Sequence, residues 1–354
     1  MDKFAFIGCL LGTAVGDALG LPYEGLSPQR GAKLFPDTTK HHLFFGKGMV
    51  SDDTEHACFV AQALIRSRGD VNVFRKQLAR SLRWWLLALP AGVGFATLRS
   101  IVKLWFGFSP QKSGVFSAGN GPSMRTPIIG VAYGHDAEKL KNFVKASTEI
   151  THSNPKAYYA ALAIALAAYL SASQEAPSAE QYLATLKELL PDDDGQELHE
   201  LVERAAVSAA NNESVAEFAD KIGSNKGISG YSYHTVPCVL QVWFGNSTDF
   251  ATGLQDVIKA GGDTDTAGAI YGGIIGAGVG KSGIPEVWLN KIIEWPKSID
   301  WIEILAESAA RSVSESEQSG IKCPRYFVPG ILLRNLLFLI IVLAHGFRRL
   351  APPW

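Results

Sequence analysis

The chain has 354 residues, enough for one large domain or two ordinary ones with a substantial core. Its 33 basic and 34 acidic side chains leave a formal charge of -1, which argues against nucleic acid as the main partner. Four cysteines, Cys9, Cys58, Cys238 and Cys323, include no CxxC pair, a usage that fits a reducing, cytoplasmic compartment rather than a disulfide framework or a zinc ribbon.

The N-terminal run Phe4 to Cys9 has an apolar stretch too short, and no basic segment before it, for a lipoprotein signal, so it reads as folded protein. Gly8, Gly12, Gly16 and Gly20 then recur every fourth residue. Glycine costs a helix about 1 kcal/mol per position against alanine, so the repeat needs a compensating reason. Close backbone approach of a second helix supplies it. Ser51-Asp52-Asp53-Thr54 follows and opens an apolar helical segment through Ala57, Val60, Ala61 and Leu64. Ser51 reads as its cap, and Asp52 with Glu55 fits a capping box. Asn154-Pro155 is a cap with proline at the first helical position, opening Ala157 to Leu170. Polar stretches at Ser171 to Ala179 and Pro191 to Gly195 read as surface loops.

A second acidic run, Gly262-Asp263-Thr264-Asp265-Thr266, stands more than two hundred residues beyond the first and also precedes an apolar helix. Here too glycines recur every fourth residue, at Gly268, Gly272, Gly276 and Gly280, so the two ladders are expected at the centre of the domain, against each other. The tail of this ladder, Gly276 to Ser282, lacks the glycine spacing of a phosphate loop and ends a helix instead of beginning one. Ser312 to Gly320 reads as a linker into the apolar run Ile331 to Ala344, which Arg334 and Asn335 interrupt. That length suits a buried or interfacial helix better than a bilayer span, so the protein is not expected to be an integral membrane protein.

Strand signals are weak throughout, and the expected class is all-α: one domain over residues 1–310, with a polar linker and apolar helix over 311–354. Either acidic run alone would be ordinary capping. Brought together, they would crowd carboxylates and hydroxyls into one volume, a cluster that repels itself unless cations fill it. Ligands of oxygen alone favour hard divalent ions over zinc.

Further segments complete a pattern: Gly8 to Gly12 through Gly16-Asp17 to Glu24, then Gly119-Asn120-Gly121-Pro122-Ser123-Met124-Arg125, then Thr151-His152. With the acidic runs, and in this order, they resemble the ADP-ribosylglycohydrolase family from about Gly8 to about Gly280. The resemblance implies a compact orthogonal multi-helix bundle with a dinuclear metal cleft holding two Mg²⁺ or Mn²⁺ ions. Ser51, Asp52 and Asp53 match its first ligand run, with Ser51 where Thr is usual, and Asp263, Asp265 and Thr266 match the second. Glu24 matches an acidic residue on a loop beside the metals. Gly119, Asn120, Gly121 and Ser123 match the loop around the ribose and phosphates, His152 a residue near the ligand and, more loosely, Tyr231 the adenosine side.

Metals holding ribose hydroxyls would orient the sugar and activate a water against an oxocarbenium-like state. Asp53 or Asp265 could accept the water proton, and Glu24 could assist the leaving group or gate the site; these roles stay open at the level of sequence. The implied activity is removal of ADP-ribose from a modified protein, arginine-linked first. The alternatives are a serine-linked or small-molecule substrate, and a non-catalytic or steric binding protein. Because some family members act as immunity proteins, a partner toxin is a further expectation.

Overall fold

The computed structural model describes residues 2–174, 177–314 and 320–352. Among these the chain forms seventeen α-helices and no sheet, only isolated backbone bridges, so the all-α expectation holds. The first half comprises α1 (Lys3–Gly20), α2 (Pro28–Leu34), α3 (Asp52–Ser67), α4 (Val71–Leu87), α5 (Phe95–Trp105), α6 (Pro127–Tyr133), α7 (Ala137–Glu149) and α8 (Pro155–Ser173). The second comprises α9 (Ala179–Leu189), α10 (Asp193–Ala210), α11 (Val215–Lys221), α12 (Ser232–Gly245), α13 (Phe250–Lys259), α14 (Thr264–Val279), α15 (Glu286–Leu289), α16 (Ile299–Ser314) and α17 (Val328–Arg348).

Helices α1 and α14 are the antiparallel centre. A Cβ on Gly8, Gly12 or Gly16 would overlap the carbonyl oxygen of Gly276, Gly272 or Gly268 respectively, and one on Gly20 would overlap that of Thr264. The overlaps are reciprocal for Gly268, Gly272 and Gly276. Backbones this close leave no room for any side chain at seven of the eight ladder glycines, which is the return on the helix propensity they forgo, while Gly280 meets the Phe4 ring instead. Around the pair the remaining helices bury one continuous core, with α8 supplying an alanine-rich face and Trp243, Tyr182 and Phe143 the bulk.

Local signals behave as expected at most helix starts. Asn154 accepts from Lys156 N, and Ser51 from Asp53 N. The capping box does not form, because the Glu55 carboxylate is drawn inward to Trp85 Nε1 at 2.8 Å and Lys297 Nζ at 3.2 Å. The polar stretches are shorter loops than their composition indicates: α8 continues to Ser173, and Asp192 caps α10 so that it begins at Asp193. Helix α16 likewise runs to Ser314, and residues 315–319 of the expected linker lie outside the described residues.

Helix α17 extends the apolar run at both ends and lies against the body of the protein. Arg334 is its main anchor, pairing with Glu294 through Nη2 at 2.5 Å and Nε at 3.0 Å, both side chains buried, and donating to Val50 O. Asn335 donates to Ala88 O, His345 meets Pro22 O, and Arg349 reaches the carbonyls of Leu21, Pro22 and Glu24. Phe338 and Ile341 join Leu21, Leu43 and Met49 in a small second apolar cluster.

Candidate active site

The glycine ladder brings the C-terminal end of α1 beside the first turn of α14, and α3 starts next to both. Asp17, on the last turn of α1, is fully buried and accepts from Ser51 N at 2.9 Å, Thr54 N at 3.1 Å and Thr54 Oγ1 at 2.5 Å. It thus caps α3 from another helix and fixes the first acidic run to the ladder. The two runs meet directly: Asp53 Oδ2 accepts from Ser51 Oγ at 3.0 Å and from Thr266 Oγ1 at 3.4 Å.

Gly261 and Gly262 aim the second run. Both have positive φ, and a Cβ on Gly262 would strike Ile228 O, so no other residue fits without strain. Their backbone exchanges hydrogen bonds with Gly25 and Leu26 on one side and Ile228 on the other. The Glu24 loop and the 227–230 loop are thereby zipped to the start of α14. Asp263, which caps nothing with its side chain, accepts from Asn120 Nδ2 at 2.6 Å.

These elements enclose a cavity of about 360 Å³. Its lining contains Glu24, Ser51, Asp52, Asp53, Asp263, Asp265 and Thr266, together with Gly119, Asn120, Gly121 and His152. Five carboxylates therefore face one space, with no lysine or arginine among the lining residues. The electrostatic cost appears in every buried member. Desolvation first, and then the charges of their neighbours, push Asp52, Asp53 and Asp265 well above the ordinary carboxylate range. Glu24, at the exposed rim, is raised by desolvation and then by Asp263, while Arg349 pulls it back.

Two buried oxygens, Asp53 Oδ1 and Asp265 Oδ1, have no hydrogen-bond partner. Unpartnered, mutually repelling carboxylate oxygens with hydroxyls between them are what a hard cation satisfies, so the residues present fit such an ion. Among the described residues, no three histidine, cysteine or acidic side chains converge as a ready-made metal cage. The acidic groups ring the cavity instead.

The opposite wall is built on His152. Its ring is nearly buried and is stripped of its proton by that burial and by the Arg125 charge, to a pKa of about 3. Cβ atoms on Gly119 and Gly121 would come within 3.1 and 3.2 Å of this ring, so glycine at both positions lets the loop lie flat on the imidazole. Arg125 is wholly buried and anchors the loop through Ser147 and Thr151. Asn120 N bonds Gly230 O, and Ser232 N bonds Ala118 O, joining the loop to the start of α12.

Two expected residues stand back from the cavity lining. Ser123 is fully buried beneath the loop, at the start of a short 3₁₀ turn, and its Oγ has no partner. Tyr231 caps α12, packs on Tyr233 and His234, and meets Lys156 Nζ at 3.3 Å. Sequence reasoning placed Asp17 within a motif but gave it no role, although a carboxylate inside an apolar glycine ladder is itself a signal. It also missed Phe338 and Val342, which bring α17 into the lining.

Comparison with known proteins gives a consistent picture. A family model described as ADP-ribosylglycohydrolase matches residues 2–319, leaving α17 outside the match. The ADP-ribosyl-[dinitrogen reductase] glycohydrolase of Rhodospirillum rubrum is 28% identical, over 81% of this chain and 89% of its own. The ADP-ribosylhydrolase ARH3 of Gallus gallus is 27% identical, over 80% and 87%. An ADP-ribosylglycohydrolase-related solved structure superposes with a TM-score of 0.65 at 26% identity, covering 88% of this chain and 98% of its own.

Proposed function

Because the chain belongs to the ADP-ribosylglycohydrolase family and is an enzyme that hydrolyses ADP-ribose glycosidic bonds, we propose that it removes ADP-ribose from modified protein side chains with the help of two divalent cations, preferring the arginine linkage. The observation that carries this is the pair of unpartnered buried oxygens, Asp53 Oδ1 and Asp265 Oδ1, in a cavity ringed by five carboxylates. Ser51, Asp52, Asp53, Asp263, Asp265 and Thr266 would hold Mg²⁺ or Mn²⁺, whose chemistry is to orient ribose hydroxyls and make a bound water more acidic.

The protein's own groups divide the remaining work. Asp53 and Asp265 stand where a water activated by the cations would sit, and either could take its proton. Glu24 stands at the rim, where its raised affinity for a proton suits it to assist the departing side chain. The flat loop from Gly119 to Gly121 on His152 offers backbone to the sugar and phosphates, and Asn120 fixes that loop to Asp263. A lining of carboxylates without lysine or arginine favours a guanidinium over a neutral serine hydroxyl as the departing group. We place the enzyme in the cytoplasm, which four unpaired cysteines suit.

Release of ADP-ribose from arginine-modified and serine-modified proteins, with and without EDTA, tests this reading. Arginine-linked substrate is expected to turn over at least about tenfold faster, equivalent to about 1.4 kcal/mol of barrier. Faster serine release would reverse the assignment, and full turnover in excess EDTA would remove the cations from it. Asp53→Asn and Asp265→Asn should each lower kcat by about a hundredfold or more. Neither should lower thermal stability measured in EDTA, because each removes one repelling charge.

A further inference from the structure

Helix α17 is inside out for a helix docked on a soluble protein. Its polar side chains Arg334, Asn335 and His345 point into the body, where each is buried and bonded. Its outward face is apolar. Leu333, Leu336, Leu337, Ile340, Leu343 and Phe347 are between 42% and 69% exposed, and no polar side chain stands among the exposed residues from Leu332 to Gly346. About four turns of helix thus present large apolar groups without one hydrogen-bonding side chain between them. An exposed apolar patch of this extent on a soluble protein marks a surface that something covers.

Charge identifies what covers it. Residues 320–354 contain five lysines and arginines and no aspartate or glutamate, whereas the rest of the chain carries 28 basic and 34 acidic side chains; of the five, Arg334 is neutralised by buried Glu294. The two grooves flanking the helix repeat the bias. One is lined by Lys40, Lys291 and Arg348 beside Phe44 and Phe45, the other by Arg66 and Arg80 beside Trp84, and neither has a carboxylate in its lining. A protein partner or a second copy would be expected to meet such a strip with polar rim groups and hydrogen bonds. A wholly apolar strip flanked by cations and aromatic rings instead matches the boundary between acyl chains and anionic headgroups.

We propose that α17 is an interfacial helix that seats this protein on an anionic lipid surface, lying in the plane of the membrane without crossing it. The same helix lines the catalytic cavity with Phe338 and Val342 and holds the backbone of the Glu24 loop through Arg349. The helix that meets lipid on one face thus forms part of the cavity wall on the other, which keeps the site close to substrates at the membrane.

The test is flotation of the full-length protein with vesicles of phosphatidylcholine mixed with phosphatidylglycerol, and with phosphatidylcholine alone. The protein should float with the mixed vesicles, less so at high salt, and stay behind with the neutral ones. Leu337→Glu and Ile340→Glu, both on the outward face, should each weaken this binding about tenfold or more. ADP-ribose release in solution should be unchanged in both. Leu337→Ser, which adds no charge, should give an intermediate loss. Absence of flotation, equal flotation on neutral vesicles, or a dimer that Leu337→Glu dissolves in place of vesicle binding would each overturn the proposal. So would insertion that resists alkaline carbonate, which would make the helix a span.

Discussion

Two segments of this chain, Lys3–Tyr23 and Val328–Arg348, have equal length and similar apolar character, each sufficient by composition to cross a membrane. Their surroundings differ: over the most apolar 18 residues of each, 89% of the first is buried in the protein and only 33% of the second. The difference lies in what is spaced four residues apart. In α1 it is glycine, so another backbone can approach and the helix can be surrounded on all sides. In α17 the inward stripe is Arg334, Phe338, Ile341 and His345, which fixes one face by hydrogen bonds and leaves leucines outside. Apolar content sets how strongly a helix seeks burial; the positions of its smallest and its most polar residues determine which face finds it.

The sharpest way to break this contrast is to give α1 one side chain at the ladder. Gly16→Leu would push into the carbonyl of Gly268, a backbone atom that cannot rotate away, and should lower stability by at least about 4 kcal/mol or abolish folded yield. A loss of only about 1 kcal/mol in chemical denaturation would mean that the helices do not touch as described. Arg334→Ala comes next. It leaves Glu294 buried without its partner and should cost about 3 kcal/mol, whereas Arg334→Met combined with Glu294→Gln should cost markedly less. Equal losses in the single and double variants would show that the ion pair is not what anchors α17.

A smaller effect should follow from pH. Burial holds His345 neutral against Phe35, below its ordinary value near 6.5, and Arg349, Arg348 and His42 nearby add to the shift. The detached helix binds the proton more readily than the docked one. Docking is therefore fully stable above about pH 6.5 and weakens as pH falls below it. The protection of α17 amides against hydrogen exchange, taken relative to the intrinsic rate at each pH, should fall between pH 7 and 5, and His345→Gln should flatten that dependence. The smallest effect is expected outside: Leu337→Ala on the exposed face should change stability by less than about 0.5 kcal/mol.

Much of the candidate site was legible because its physics is local. An acidic run before an apolar helix, and glycines four apart, each state a requirement that sequence carries by itself, and the structure joins them through the contact of Thr266 with Asp53. What was not legible depends on distant partners. Asp17 shows its role only when Ser51 and Thr54 fold onto it, and Glu55 leaves its expected cap for Trp85 and Lys297. Helix α17 was readable as apolar and amphipathic in outline, but which face points inward is decided by Glu294, Val50 and Ala88, none of them near it in sequence.

The glycine register also works as a gauge. Each of the four contacts between α1 and α14 fixes the same offset, and a slip of one notch, four residues, would carry Asp17 about 6 Å along the axis, away from the start of α14. The alignment of the two acidic ends is thus encoded in backbone touching backbone, independent of how many residues separate them along the chain. The intervening stretch is free to grow or shrink at a surface connection such as that between α10 and α11, while the spacing of the carboxylates stays the same. A carboxylate cluster assembled from distant parts of a sequence is in this way insulated from the length of what lies between.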